Sequence, residues 1–236
     1  MTNALSPLFD LVPAVDLSRR ERMALLIIDM QYHDASPARG LGRAIEAVAP
    51  GAMDYYNERL EGVTVPAIRR MLEFFRGEGI AVVHLVLGSR YQDLRECPPR
   101  FREWTRNLER VTGARDIWWS GNPDFAVRDE LAPIEGETVV RKTTNGGFNG
   151  SGLDDVLRRM GIDTLVVAGV VTSACVETTV RDAADRGYHC ALVDDATADY
   201  DPEMHRATLK AFSLNFGRVV DSADALIEAV DRGASV

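Results

Sequence analysis

The sequence is poor in cysteine, with Cys97, Cys175 and Cys190 the only three in 236 residues. So few and so scattered, they form neither a disulfide framework nor a zinc cluster, and the expected setting is a reducing cytoplasm. Long apolar runs are also missing. Runs such as residues 165–171 fall far short of the roughly 20 residues that span a bilayer, so no membrane is expected. The N-terminus shows no basic segment followed by an apolar core, and no secretory signal is expected. Positive charge is in the minority: 27 Lys and Arg stand against 36 Asp and Glu, a net charge of −9. That balance argues against nucleic acid as a partner. It says little about a substrate, because local charge can oppose net charge. No internal repeat, low-complexity tract or clear linker interrupts the chain.

What is present suits one large α/β domain. Hydrophobic residues make up 46% of the chain, ordinary for a globular protein, and the length allows a core without staples. Residues 1–22 are polar and irregular and read as an N-terminal arm; residues 23–236 read as the domain. Ala24-Leu25-Leu26-Ile27-Ile28-Asp29 is apolar without alternation, the pattern of a strand buried on both faces of a parallel sheet. Similar runs return at 80–87, 138–141, 164–169, 190–193 and, weakly, 218–221. Helical patterns lie between most of them: at 65–76, after a capping-box-like Ser151-Gly152-Leu153-Asp154, around Val176, Val180, Ala183 and Ala184, and at 205–215 and 223–230. The alternation predicts a three-layer αβα sandwich around a central, mostly parallel sheet. Between about 88 and 123 the pattern breaks, in a stretch with Cys97-Pro98-Pro99, several arginines and three tryptophans. That is too long for a simple loop and reads as an inserted lid or an oligomer contact.

Ligands of such sheets bind beyond the carboxyl ends of the strands. The residues just after each apolar run are therefore the candidates. Cys175 follows the run at 164–169 through a short turn and precedes an amphipathic helix. Unpaired N–H groups and the positive end of that helix favour thiolate and can hold an oxyanion. A lone cysteine is also often a small buried hydrophobe; the strand-turn-helix setting tips the reading toward chemistry. Asp29 ends the first strand, where a carboxylate can take a proton from sulfur and return it to a leaving amine. Lys142 ends another, ahead of Thr143-Thr144-Asn145-Gly146-Gly147-Phe148, where an ammonium can stabilise both Asp29 and a thiolate. Asp, Lys and Cys from three strand ends make a triad that requires neither metal nor cofactor.

These residues resemble the isochorismatase-like hydrolases, in their cysteine-hydrolase branch. The resemblance rests on Leu25-Leu26-Ile27-Ile28-Asp29-Met30-Gln31, on Lys142 with Phe148 following, and on Gly169-Val170-Val171-Thr172-Ser173-Ala174-Cys175-Val176 with the tail Thr178-Thr179-Val180-Arg181-Asp182-Ala183. It covers roughly residues 22 to 230. Members include nicotinamidases, isochorismatases, and hydrolases of N-carbamoylsarcosine, biuret and ureidoacrylate. It implies Cys175 as nucleophile, Asp29 as general base and acid, and Lys142 as third member. It also implies a cis peptide between Val170 and Val171, with the N–H groups of Val171 and Cys175 as oxyanion hole. The reaction implied is hydrolysis of a C–N bond in a small amide, ureide or carbamoyl compound through a thioester.

Departures from the family pattern shape the pocket expectations. Cys175 argues against an isochorismatase proper, which lacks the thiol. Nicotinamidases carry Asp-x-His and a further His that bind metal; none of His33, His84, His189 and His205 stands two residues after an Asp, so no metal is expected. Where the family often reads Asp-Met-Gln-Asn-Asp-Phe, this chain reads Asp29-Met30-Gln31-Tyr32-His33-Asp34. That brings Tyr32, His33 or Asp34 toward substrate. Asn215 is a candidate reader of a urea group, or equally a helix-end cap. Arg90, Arg95 and Arg100 are candidates for a carboxylate, Arg90 foremost, and Phe148 for a pocket wall. Trp118 and Trp119 are expected in the pocket, in a subunit contact or in the core. The family usually assembles, so a homodimer or homotetramer is expected. Alternatives are hydrolysis of an ester or isochorismate-like compound, or a silent member that binds a ligand through the same pocket.

Overall fold

The apolar runs become six strands in the computed structural model, which describes residues 6–9 and 11–236. They are β1 (Met23–Ile28), β2 (Ala81–Leu87), β3 (Thr138–Lys142), β4 (Thr164–Val170), β5 (His189–Ala198) and β6 (Arg218–Val220). All pair in parallel, in the order β3-β2-β1-β4-β5-β6. Strand β1 shows why its sequence does not alternate. Met23, Leu25 and Ile27 point into one core, and Ala24, Leu26 and Ile28 into the other. Helices Val65–Gly77 and Ala223–Arg232 cover the first face with Ile68, Leu72, Phe75, Leu226 and Val230. Helices Leu153–Arg159, Glu177–Asp185 and Pro202–Asn215 cover the second with Leu157, Val180, Ala183 and Phe212. The expected αβα sandwich is the observed fold.

The chain moves outward from β1 to β3, then returns to β4 on the other side of β1 and moves outward again. The order thus reverses between β1 and β4, and a crevice opens there at the carboxyl ends. Asp29 leaves β1 at that point and Cys175 follows β4. Gly169 lets the two strands approach: its φ is +118°, and a Cβ there would sit 2.1 Å from the Ile28 carbonyl oxygen. Neither backbone can yield without disturbing the ladder. Gly169→Ala is expected to cost about 1–3 kcal/mol, the usual range for overpacking, read as a lower urea midpoint at unchanged slope.

Several local expectations are corrected. Ser151 does not open a capping box. Gly152, at φ +79°, is the N-cap, Ser151 Oγ accepts from Leu153 N, and Asp154 turns to Tyr188 and Arg158 instead. Within 88–123 lies a helix, Pro99–Thr112, ended by Gly113 at φ +75°. Short helices Gly40–Glu46 and Asp54–Arg59 had no clear apolar stripe to announce them. The stretch before β1 is partly packed: Val15 and Leu17 are buried, and their N–H groups donate to Val236 and Ala234 carbonyls. The Val170–Val171 peptide is cis, as the resemblance implies. No helix among the described residues is long and apolar enough to cross a membrane.

Candidate active site

Three strand ends converge on one point. Asp29 sits at φ +54°, a backbone region that aspartate tolerates better than most residues, with its N–H bonded to Leu85 O at 3.0 Å. Lys142, at the end of β3, reaches across the end of β2, and its Nζ lies 2.7 Å from Asp29 Oδ2. Both side chains are withdrawn from solvent, at 0% and 1% exposure. Lys142 Nζ also donates to Thr144 O at 3.0 Å. Cys175 is buried on the turn Thr172–Val176, which leads into the helix Glu177–Asp185. Thr179 Oγ1 donates to Cys175 O at 2.6 Å and accepts from Gly147 N at 2.9 Å, tying the cysteine turn to the loop after β3. Ser173 N donates to Asp199 Oδ2 at 2.6 Å, tying it to the loop after β5.

Burial governs the charges. It pushes the Cys175 thiol well above its usual range; Lys142 opposes this and Asp29 adds to it. The expected lowering of the thiol by the helix end is therefore overturned, because desolvation of a sulfur anion and the neighbouring carboxylate outweigh the favourable charges. Burial likewise raises Asp29 above the ordinary carboxylate value, only partly offset by Lys142. For Lys142 burial pulls downward, but Asp29 and Cys175 outweigh it and hold the ammonium above its ordinary value. These directions favour a protonated thiol and a charged Lys142 beside Asp29. Burial also pushes Cys97 up to about 11 and Cys190 to about 12. A raised thiol is thus no mark of function here; the adjacent base and cation are what distinguish Cys175.

A cavity of about 530 Å³ is lined by Cys175 and its neighbours Val170, Val171 and Ala174. Thr144, Asn145 and Asn149 of the loop after β3 line it too. The 88–123 segment contributes Phe101, Trp104 and Trp118, and the turn after β1 contributes Asp34. Of the substrate candidates, several lie elsewhere. Tyr32 is outside the cavity, with its hydroxyl accepting from Asp129 N and Arg39 over its ring at 4.0 Å. His33 is buried behind the wall, with Nε2 3.0 Å from Leu87 O. Arg90 is 66% exposed and paired with Glu96, which also holds Arg141. Arg95 pairs with Asp93, and only Arg100 of the three arginines reaches the cavity mouth. Phe148 packs into the second core against Tyr188, ring centroids 5.8 Å apart. Asn215 is exposed and donates to Ala211 O, so its helix-end reading holds. Trp118 is a wall residue, whereas Trp119 bonds Arg90 O outside it. Not named as substrate candidates, though they line the cavity, were Asn145, Asn149, Thr178, Tyr200, Phe101 and Trp104. Among the described residues no three His, Cys, Asp or Glu side chains are grouped to hold a metal.

A doubly wound sheet whose switch-point cavity is lined by a cysteine, with a carboxylate–ammonium pair buried beside that thiol, defines a class of small-molecule hydrolase. The isochorismatase domain model matches residues 23–224, and the chain belongs to that family. It is 32% identical to the ureidoacrylate amidohydrolase RutB of Methylobacterium radiotolerans, over 84% of this chain and 76% of that one. The cysteine hydrolase of Pseudomonas syringae pv. phaseolicola superposes with a TM-score of 0.72 at 26% identity, over 91% of this chain and 94% of the other. The N-carbamoylsarcosine amidase of Thermoplasma acidophilum superposes with a TM-score of 0.63 at 29% identity, over 86% and 97%. The reaction class expected from the sequence, amidohydrolysis at a non-peptide C–N bond, is the class that these relatives support.

Proposed function

We propose that this amidohydrolase cleaves a small carboxamide, ureide or carbamoyl compound with Cys175 as nucleophile, Asp29 as proton carrier and Lys142 as the fixed cation between them. The observation that carries the reading is the 2.7 Å ion pair of Asp29 and Lys142, buried against Cys175. Asp29 accepts the thiol proton as the sulfur adds to the substrate carbonyl carbon. The carbonyl oxygen becomes an oxyanion, held by the N–H groups of Val171 and Cys175, two residues that line the cavity. Asp29 then gives its proton to the departing nitrogen, the C–N bond breaks, and a thioester remains on Cys175. Water, deprotonated by Asp29, adds to the thioester; the sulfur leaves with that proton and the acid is released. Every proton and electron pair is carried by the chain, the substrate or water, so the cycle calls for no cofactor. Residues 23–236 acting as one hydrolase domain behind the arm at 1–22, a cytoplasmic setting and a homodimer or homotetramer belong to the same proposal; three buried free thiols suit a reducing compartment.

The test is a rapid acid quench during turnover of a panel of small amides and carbamoyl compounds, with peptide mass spectrometry and ammonia assay. A substrate that releases ammonia is expected to leave its acyl mass on the Cys175 peptide. Ammonia release with no adduct there, or with the adduct on Cys97 or Cys190, overturns the assignment.

A further inference from the structure

We propose that Asp34 makes the cavity selective for substrates that carry a cationic nitrogen, a protonated amine or guanidinium, at the end remote from the scissile carbonyl. The inference rests on the amide-cleaving reading above and concerns the other end of the substrate. Asp34 lines the same cavity as Cys175, and its side chain is 11% exposed. It is held from several sides. Trp118 Nε1 donates to Oδ1 at 3.2 Å, His33 Nδ1 lies 3.1 Å from Oδ2, and its backbone carbonyl accepts from Tyr56 Oη at 2.7 Å. None of these partners is an arginine or lysine. The other deep ionic groups of the site, Asp29 and Lys142, cancel each other. The carboxylate is thus an interior negative charge without a full cationic partner among the described residues.

Its surroundings suit a cation. Phe101, Trp104 and Trp118 stand together with ring centroids 5.4 to 6.4 Å apart, and all three face the cavity. Tyr200 adds a further ring to the lining, tilted at 52° to Tyr56 with centroids 5.2 Å apart. Aromatic faces beside a carboxylate attract ammonium and guanidinium groups. A substrate carboxylate would meet Asp34 instead, at low solvent exposure where like charges repel strongly. Arg100 also lines the cavity, but it is exposed, and water weakens its pull on an anion. The Asp34 side chain is only 11% exposed, so its field on a bound group is screened less.

Three amides of similar size test this: gamma-aminobutyramide as cation, valeramide as neutral and succinamate as anion. In the wild type, kcat/KM is expected to fall in that order, with the cation ahead of the neutral amide by about tenfold or more, the scale of a hydrogen bond to a charged group. The same order is expected for Kd measured calorimetrically with the Cys175→Ala variant, so the result does not depend on turnover. Asp34→Asn is expected to compress the cation-to-neutral ratio by about tenfold or more, mainly through KM, and Asp34→Glu to restore part of it. Equal binding of cation and neutral amide overturns the proposal, as does a preference for succinamate that disappears in Arg100→Ala. Selective cation binding without ammonia release from any amide would instead fault the catalytic assignment and leave this one standing.

Discussion

Cys175→Ala is expected to lower kcat/KM by roughly 10⁴-fold or more with the fold retained, and Asp29→Asn by roughly 10²- to 10⁴-fold, with some loss of stability because Lys142 stays buried without its partner. The first variant removes the sulfur to which the thioester is assigned. The second keeps the sulfur but leaves its proton without an acceptor, and burial holds that proton on the thiol. The two losses should not add in the double variant, because base and nucleophile act in the same step. The wild type carries a pH signature of this division of labour. Asp29 must be ionised to act as base, and its carboxyl titrates above the ordinary value because burial outweighs the Lys142 charge. The acid limb of kcat/KM should therefore lie above the range of a solvent-exposed aspartate, with activity falling as pH drops through that raised value. A limb at or below the ordinary aspartate value, or an Asp29→Asn variant with wild-type kcat/KM, would remove Asp29 from the mechanism.

The frame of this site was legible from the sequence because strand ends are legible. A buried parallel strand reads as an unbroken apolar run, and in a doubly wound sheet the residue after each run has one place to go. Asp29, Lys142 and Cys175 each follow such a run, and the fold brings them together. Gln31, quoted in the first motif, turns out to be scaffold. Its carboxamide accepts from Leu87 N at 2.6 Å and donates to Phe125 O at 2.8 Å, pinning the turn after β1 to the neighbouring strand and to the chain just beyond the 88–123 segment.

The pocket walls were less legible because they lie on irregular backbone, where no period relates one side chain to the next. In the loop after β3 Phe148 was the expected pocket residue, but one step decides the outcome: Phe148 turns to the core, and Asn149 lines the cavity. The same holds at Tyr32, His33 and Asp34, of which only the last lines the cavity. Among the arginines the sequence offered no signal. Arg90 and Arg95 pair with Glu96 and Asp93, yet Arg100, which lines the cavity, has Glu96 and Glu103 just as near in sequence. The thiol shift was misjudged for a different reason. The helix end was visible in the pattern, but the depth of burial was not, and desolvation is the larger effect.

Lys142→Met is expected to destabilise the fold by about 3–5 kcal/mol, the range for removing one partner of a buried ion pair, besides abolishing activity. The methionine fills much of the same volume, so the cost is electrostatic: Asp29 stays at 1% exposure without its cation. Replacing both groups removes the orphaned charge, and Asp29→Asn with Lys142→Met should recover most of the lost stability, as paired substitutions of buried ions do. The sign of the pH dependence separates this from a packing defect. In Lys142→Met the folded carboxyl titrates further above its unfolded value, so the native state holds more protons over that window and its stability falls as pH rises through it. The gap to wild type should narrow toward acid pH, where Asp29 is neutral, and widen toward neutral pH. A packing defect would leave the gap constant with pH and would persist in the double variant. Urea midpoints for the three proteins across the acid-to-neutral range decide between them, and a double variant as unstable as Lys142→Met alone would show that Lys142 serves the fold as a space-filling side chain rather than as the charge that keeps Asp29 ionised.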